Sequence, residues 1–387
     1  MVHLVSNGDC LYSTTIARQI KHEFPGCHLT WAISFKCRQV IEENPYVDTI
    51  WEIMYSSNDS PYTNVWKSLK SEVELKRSNG DFDEVFYLQL FPDNIHCFDG
   101  TIRSSLFNTY PGKITVPIEP IIKLRRDEVL NVANFANVNN LSSYEHVILC
   151  ECTPSSGQSF LNLEIMLKVA RLLVAARPDV ILIISSHLSV KSDHERILDG
   201  SVLTFRENVE LSKYCTLLVG CSSGLTWLLT ADWAKKMPTV QFLNRTYGAG
   251  QFFASVKYDF IYWGISTENV IENGNQNYNV MVDIVLLAME DFKKAKKTFD
   301  EEFLPSRKQL YEIIFGKYFN LKFKQKLECL IRFKNRNRHE NSIVLISGFT
   351  VSYFKDLCWG LNKRLKSISK NSRKVKFILS FMKTKKD

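Results

Sequence analysis

The sequence lacks the usual signatures of cofactor and metal sites. Ten cysteines are present among 387 residues, but no two form a C-x-x-C pair and none has the spacing of zinc ligands. Neither G-x-G-x-x-G nor G-x-x-x-x-G-K-[ST] follows a strand-like segment, which excludes the standard dinucleotide and P-loop sites. We therefore expect reduced structural thiols, no metal and no other cofactor.

Long apolar runs are also absent. No stretch is long and apolar enough to span a membrane, and the opening residues Met1-Val2-His3-Leu4-Val5 do not form a basic segment followed by an apolar one. Apolar residues make up 45% and charged residues 23% of the chain, which is normal for a globular protein. The length favours two domains, and we expect a cytoplasmic protein.

Positive charge is scarce over most of the chain. Residues 1–316 contain 30 Lys and Arg against 37 Asp and Glu, whereas residues 317–387 contain 19 against 4. The net charge of +8 is thus a property of the C-terminal segment. The body of the protein is mildly acidic, and we expect no nucleic-acid partner.

Strands alternate with amphipathic helices in both halves, a pattern typical of parallel sheets covered on both faces. The sequence predicts an α/β fold with two Rossmann-like domains, residues 1–140 and 141–280, facing a central cleft. Residues 281–316 are expected to form helices that pack back on the N-terminal domain, and 317–387 a helical, basic extension. Strands are predicted at 2–6, 28–34, 47–53, 85–90, 147–152, 179–185, 217–220 and 238–243, and helices at 13–23, 36–43, 63–77, 160–177, 211–216, 224–236, 280–298 and 307–335.

A carboxylate, Asp9, follows Gly8 directly after the first predicted strand. The carboxyl end of a parallel strand borders the crevice where open α/β sheets bind ligands, so Asp9 could act as a general base. It could also cap the next helix, which is a common role for Asp. Spacing alone favours this second role.

Two polar loops follow strands of the second half. The first is Gly220-Cys221-Ser222-Ser223-Gly224, whose small residues and following helix suit the approach of a phosphate. A serine cap in a tight turn explains the same residues equally well. The second loop runs from Thr153 to Ser159 and occupies the equivalent place after the first strand of that half. Two such loops in one domain favour a ligand.

Four landmarks in order resemble the N-terminal domain of heptosyltransferases of glycosyltransferase family 9. They are Gly8-Asp9, Thr14-Thr15, Phe24-Pro25-Gly26 and Asn44-Pro45-Tyr46-Val47-Asp48. Residues 218–227 resemble the strand, turn and helix of that family with its Asp-Thr/Ser-Gly-x-x-His signature, and Pro238-Thr239-Val240 follows. The resemblance covers residues 1–265. It implies a GT-B fold and inverting, metal-independent sugar transfer in bacterial surface-glycan assembly.

Carried over by position, the resemblance makes Asp9 the base that deprotonates the acceptor hydroxyl, with Gly8 and Thr14 on the acceptor side. Contacts to the diphosphate or nucleotide of the donor would come from Ser155, Ser156, Gln158, Ser222, Ser223 and Gly224.

The sequence departs from the family at three donor contacts. The aspartate of the family falls at Ser222, its histidine at Trp227 and its lysine at Gln158. The charge of the leaving group would then depend on backbone amides, hydroxyls, and Arg245 or Arg206.

These observations together favour a transferase that moves a sugar from a nucleotide sugar to a glycan or lipid-linked acceptor in surface polysaccharide biosynthesis. Two alternatives remain open. One is a GT-B-type sugar-nucleotide epimerase or hydrolase, which would act on the donor without an acceptor. The other is a catalytically degenerate GT-B binding module, which the three departures favour.

The end of the chain combines basic and apolar residues. Residues 355–387 contain 11 Lys and Arg against 2 acidic residues, with leucine, isoleucine, phenylalanine, tryptophan and methionine interleaved. This composition suits a segment on an anionic membrane surface, where each basic residue contributes about 1 kcal/mol. A solvated helix, a disordered basic end and RNA binding are the alternatives. We expect a peripheral protein at the inner face of the plasma membrane.

Deletion of residues 355–387 tests this expectation. The full chain should sediment with vesicles containing phosphatidylserine, and the truncated chain should stay in the supernatant because most of the basic charge is gone. Phosphatidylcholine vesicles and high salt are the controls, since both remove the electrostatic attraction. Equal sedimentation of the two proteins with anionic vesicles would rule out the membrane role of this segment.

Overall fold

The structure, a computed structural model, describes residues 1–55, 62–152, 154, 157–245, 253, 255–305, 314 and 321–336. Met1–Arg332 forms one compact unit, which contains both predicted domains. The second unit, Phe333–Asp387, is described only as far as Arg336. The segment 355–387 and the loop residues Ser155 and Ser156 lie outside the described residues.

The first domain places helices around a small parallel sheet. Its strands are β1 (Thr30–Ser34) and β2 (Thr49–Ile53), and its helices are α1 (Asn7–Glu23), α2 (Tyr62–Ser78), α3 (Ile102–Phe107) and α4 (Arg126–Val138). Helix α1 is buried on all sides over residues 10–17, and Leu11, Ile16 and Ile20 all belong to the main apolar core.

The second domain contains a larger parallel sheet. Its strands are β3 (His146–Glu151), β4 (Val180–Ser185), β5 (Ile197–Asp199), β6 (Leu217–Gly220), β7 (Thr239–Phe242) and β8 (Val270–Asn273). Its helices are α5 (Leu163–Ala176), α6 (Glu207–Leu211), α7 (Gly224–Leu228), α8 (Val256–Trp263), α9 (Tyr278–Glu290) and α10 (Phe292–Phe299). A last helix, Phe323–Arg336, follows.

The strand order of the larger sheet is β5-β4-β3-β6-β7-β8, with every pair parallel. Counted from β3, this is the 3-2-1-4-5-6 order of the Rossmann fold. The order reverses between β3 and β6, and ligands of such sheets bind at the carboxyl ends of the strands beside that point. Glu151 ends β3 and Gly220 ends β6, so both lie there.

The predicted strands 2–6 and 85–90 are present as a short parallel pairing beside β1, in which the Val2 amide donates to the Phe86 carbonyl at 2.8 Å and the His3 amide to the Ala32 carbonyl at 3.1 Å. Val2 pairs in parallel with Ala32 on one side and with Tyr87 on the other. The ladder then ends because the Gln89 side-chain oxygen accepts hydrogen bonds from the Leu4 and Val5 amides, each at 3.1 Å. A side chain thus replaces the neighbouring strand, and the chain turns into α1 at Asn7.

The prediction of an α/β fold with parallel sheets is confirmed, but several elements differ. The predicted helix 224–236 ends at Leu228. Beyond it, the Asp232 amide donates to the Pro120 carbonyl at 3.0 Å, and the Asp232 carboxylate accepts from the Ile122 amide at 3.0 Å. No element was predicted at α3, α4, α8, β5 or β8, and the helix predicted at 211–216 lies earlier, as α6.

The helices after residue 278 correct a second prediction. Helices α9 and α10 were expected to pack on the N-terminal domain, but Met281, Ile284 and Val285 of α9 are buried against the sheet of the second domain. Their apolar stripe covers that sheet beside α5, which leaves no apolar face for the first domain. The later helix makes the return contact: the Cys329 thiol donates to the Ile95 carbonyl at 3.2 Å.

The cysteines of the described residues are all free thiols, and Cys27 alone among these nine is not buried. Among the described helices, none has both the length and the apolar character required to cross a bilayer.

A buried ion pair joins the two domains. Arg206 precedes α6 in the second domain and is 2% exposed, and its guanidinium binds both carboxylate oxygens of Glu128 in α4, at 2.7 and 3.1 Å. The remaining donors bond carbonyls of the first domain, those of Gln39 at 2.8 Å, Glu42 at 2.9 Å and Lys123. Every side of the guanidinium is therefore satisfied by the first domain.

We predict that R206M lowers the free energy of unfolding by about 3–5 kcal/mol, because it leaves the Glu128 carboxylate buried without its partner. Urea denaturation of the full chain measures this change. The double variant R206M/E128M should recover part of the loss, since it removes the unpaired charge. A single variant as stable as the wild type would show that the pair does not hold the domains together.

Candidate functional site

The carboxylate predicted as the base lies in the first turn of α1. Ser6 precedes the helix, and Asp9 accepts a hydrogen bond from the Ser6 hydroxyl at 3.1 Å. An acidic residue in the first turn interacts favourably with the helix dipole. The helix begins at Asn7, so Asp9 lies inside its first turn and not at the cap position before a later helix that the sequence had allowed.

Asp9 also has a perturbed acidity. Its side chain is partly exposed, but burial of the carboxyl by surrounding protein raises its pKa above the ordinary value. The charge of Arg103 and the hydrogen bonds from Ser6 oppose this rise. A carboxylate with a raised pKa binds a proton more readily, which suits a general base that is still reachable from solvent.

The turn between β6 and α7 is held rigidly from the inside. Ser222 has a φ of 53°, in the left-handed region, and its amide donates to the Gln241 side-chain oxygen at 2.6 Å. A Cβ on Gly220 would lie 2.5 Å from Nε2 of Gln241, so only glycine fits there. The side-chain amide of Gln158 donates to the Ser222 carbonyl at 3.0 Å. Ser222 and Gln158 are both buried and shape this turn.

A glutamate that the sequence analysis did not single out fills the turn. Glu151 is 3% exposed, and its carboxylate accepts from the backbone amides of Leu225 at 2.8 Å and Thr226 at 3.3 Å and from the Thr226 hydroxyl at 2.6 Å. It also accepts from the Ser223 hydroxyl and, at 3.4 Å, from the Ser223 amide. The donors expected to face a phosphate are thus bonded to a carboxylate of the protein itself.

The starts of α1 and α7 lie against each other across the two domains. A Cβ on Gly8 would lie 3.8 Å from Cδ1 of Trp227, and one on Gly224 would lie 3.9 Å from Cβ of Asn7. Gly8 of α1 and Gly224 of α7, which the sequence analysis placed in one site, therefore both lie at this contact. Ser223 and Gly224 remain partly exposed there.

Thr14 lies elsewhere. Its side chain is fully buried, and its hydroxyl donates to the Leu11 carbonyl and accepts from the Ile121 amide at 2.8 Å. The hydroxyl is occupied by the extended segment before α4, and this bonding gives it a structural role.

Trp227 stands at the histidine position of the resembled family. Its side chain lies beneath the junction, the contact between the starts of α1 and α7. It is fully buried, and its indole N–H donates to the Ser222 carbonyl at 3.2 Å. Tyr12 of α1 packs against it with ring centroids 5.4 Å apart, and Tyr12 in turn stacks on Trp263 of α8 at 4.9 Å. These rings form one aromatic cluster between the domains.

An arginine completes the junction. The Arg103 guanidinium of α3 lies over the Trp227 ring, 3.8 Å from its centroid, and the residue is 8% exposed. Burial lowers the pKa of Arg103, and the charges of Asp259 and Asp9 oppose that effect. The sequence contained no signal for this residue, because it lies in a short helix within a segment that had no predicted element.

The two arginines suggested for the leaving group are already paired. Arg206 is enclosed by Glu128 and the first domain. Arg245 makes two bonds to the Glu301 carboxylate, of which the one from Nε measures 2.9 Å.

Comparisons with known proteins give structural likeness only. No protein-family model matches the sequence, and no curated protein matches it. Among solved structures, the chain is similar to a glycosyl transferase family 9 protein from Veillonella parvula, with 13% identity over 77% of this chain and 95% of that chain and a TM-score of 0.49.

Two further likenesses are comparable. A putative UDP-N-acetylglucosamine 2-epimerase from Listeria monocytogenes is 12% identical over 79% of this chain and 90% of that chain, with a TM-score of 0.46. The ADP-heptose lps heptosyltransferase II of E. coli is 13% identical over 64% of this chain and 85% of that chain, with a TM-score of 0.43. At these identities and TM-scores, no likeness assigns a substrate or a residue role.

We predict that E151A destabilises the protein by about 3 kcal/mol or more, because several buried donors of the β6–α7 turn lose their acceptor together. E151Q should lose less, since its amide oxygen can still accept from some of them. Denaturant unfolding gives both values. E164A on the exposed face of α5 is the matched control and should unfold like the wild type; the same behaviour in E151A would contradict the role given to Glu151.

Proposed function

We propose that this protein is an inverting, metal-independent glycosyltransferase of the GT-B type that uses a nucleotide sugar. The observation that carries the proposal is the junction at which Asp9 of the first domain meets the β6–α7 turn of the second. A base for an acceptor hydroxyl would then lie beside the switch point of the larger sheet, where sheets of this kind bind their ligands.

The reaction needs few groups. The Asp9 carboxylate accepts the proton of the acceptor hydroxyl while that oxygen attacks the anomeric carbon of the donor sugar. The bond from that carbon to the diphosphate oxygen breaks on the opposite face, and the nucleoside diphosphate leaves with the electron pair. The configuration inverts because attack and departure occur on opposite faces. N–H donors and positive charge near the diphosphate oxygen would stabilise the negative charge that develops on it as the bond breaks.

The acceptor and the location follow from the sequence. We propose a glycan or lipid-linked acceptor in bacterial surface polysaccharide biosynthesis. The basic segment 355–387 would hold the enzyme at the cytoplasmic face of an anionic membrane, where lipid-linked acceptors are found.

One observation favours a different function, that of a binding module without catalysis. Glu151 occupies the amides of the β6–α7 turn, and Trp227 replaces the titratable residue of the resembled family. A module of this kind would bind nucleotide sugars without turnover. A thermal-shift screen of the full chain against nucleotide sugars identifies the donor, because a ligand that binds only the folded state raises the apparent stability.

With the donor identified, D9N should reduce kcat by about 100-fold or more, as expected for the loss of a general base. Donor binding and thermal stability should change little, because asparagine can still accept the hydrogen bond from Ser6. D127N, an exposed first-turn aspartate of α4, is the matched control and should keep full activity. Substantial turnover by D9N would remove Asp9 from the mechanism; binding without turnover by the wild type would favour the binding module.

The pH profile gives a second reading of Asp9. The base acts as a carboxylate, so activity should rise with pH through the pKa of Asp9 and be lost as pH falls below it. Since burial raises that pKa, the acid limb should lie above the ordinary value of 3.8. The residual activity of D9N should lack this limb. An unchanged acid limb in D9N would assign it to another group.

A further inference from the structure

Arg103 is an unusual side chain for its position. A guanidinium cannot lose its proton at neutral pH, and burial of an unpaired charge is costly. Arg103 is nevertheless 8% exposed, and its Nε makes no hydrogen bond. The guanidinium forms no hydrogen bond or ion pair with any residue that the structure describes; its one close contact of this kind is the face of Trp227. By contrast, Arg206 has a partner for every donor direction.

The contact with Trp227 leaves the donors of Arg103 available. A guanidinium that lies over an aromatic ring uses its face, whereas its five N–H groups point outward in its plane. The stacking holds the plane in place without engaging those N–H groups. Such a fork is suited to two oxygens of one phosphate or carboxylate group.

The surroundings of Arg103 identify which side of the reaction it serves. The guanidinium lies over a ring of α7, the helix that follows the β6–α7 turn, and its charge also acts on Asp9. The amides of that turn are bonded to Glu151 and cannot all serve a phosphate at the same time. The negative charge of Asp259 favours the charged form of Arg103. One carboxylate oxygen of Asp259 accepts a hydrogen bond from the Thr101 hydroxyl at 2.6 Å. The available N–H donors of the junction therefore include those of Arg103.

We infer that Arg103, supported by the Trp227 ring, binds the diphosphate of the donor and of the nucleoside diphosphate product. This inference rests on the proposed function and adds to it the residue that neutralises the leaving group. It also gives Trp227 a role: an indole at this position cannot donate to the phosphate in the way a histidine would, but it supports a guanidinium that can.

The test uses the full chain and measures binding of pyrophosphate, ADP, UDP, GDP and CDP by calorimetry and thermal shift. For each anion that binds the wild type, R103M should raise Kd by about tenfold or more, the loss expected for a charge-assisted hydrogen bond. R103K should fall between them, because it keeps the charge and loses the fork. R171M, which removes an exposed arginine of α5, is the control and should leave Kd unchanged.

Stability without ligand separates binding from a structural role. R103M removes the positive charge that acts on the buried Asp259 carboxylate, so it should lower the melting temperature for that reason alone. R103K keeps this charge and should stay near the melting temperature of the wild type while it binds the anions more weakly, whereas equal losses of stability and binding in R103K would indicate a structural arginine. If R103M does not fold, R103K supplies the same comparison with the charge retained. Trp227→Phe should weaken anion binding less than R103M does, since phenylalanine still offers a ring face.

Several outcomes would overturn the inference. The first is a wild-type protein that binds none of the five anions, and the second is an R103M variant that binds them as tightly as the wild type. The third concerns glucuronate, whose binding is measured in the same way. If R103M weakens the binding of glucuronate and of none of the five anions, Arg103 would instead bind an acidic sugar of the acceptor. D9N distinguishes this inference from the proposed function: it should lose transfer and still bind pyrophosphate at least as tightly as the wild type, because a neighbouring negative charge is gone. Arg103-dependent binding without transfer by the wild type would keep the inference and refute the transferase.

Discussion

The ion pair between Arg206 and Glu128 is the constraint on which the site depends. A guanidinium from the second domain is enclosed by a carboxylate and three carbonyls of the first, so separation of the domains would expose buried charge in both. The pair acts together with an apolar core that both parts of the chain share, in which Leu11 of α1 and Leu225 of α7 are members. The proposed site depends on this arrangement, since Asp9 and the β6–α7 turn come from different parts of the chain.

The electrostatics of the junction are arranged in two layers. In the inner layer, Glu151 satisfies the amides and hydroxyls of the turn and makes it rigid. In the outer layer, the Arg103 guanidinium lies over the Trp227 ring and makes no hydrogen bond to a described residue. The Glu151 carboxylate accepts hydrogen bonds from the amides at the start of α7, as a bound anion does at other helix starts. Because those amides are occupied, the positive charge that binds an anionic ligand has to come from a side chain.

Much of the fold followed from short-range pattern. The strands β3, β4, β6 and β7 were predicted to within one residue at each end, because apolar runs bounded by polar residues mark buried parallel strands. The first strand is shorter than predicted, because the side chain of Gln89, distant in the sequence, takes the place of a neighbouring strand at Leu4 and Val5. The helix after β6 failed because Asp232 is drawn to the first domain, which no local pattern records.

The sequence by itself determined the α/β class, the location of the basic charge, and the pairing of Asp9 with a small polar turn as candidates for one site. Those properties depend on residue type and spacing, which the printed chain contains. Only the tertiary structure decided that Glu151 fills the turn, that Gln158 and Thr14 are buried and bonded inside, and that Arg103 lies on Trp227. The physical reason is that the partner of a buried polar group is set by which elements meet in space, and residues 103, 151 and 227 come from three separate segments.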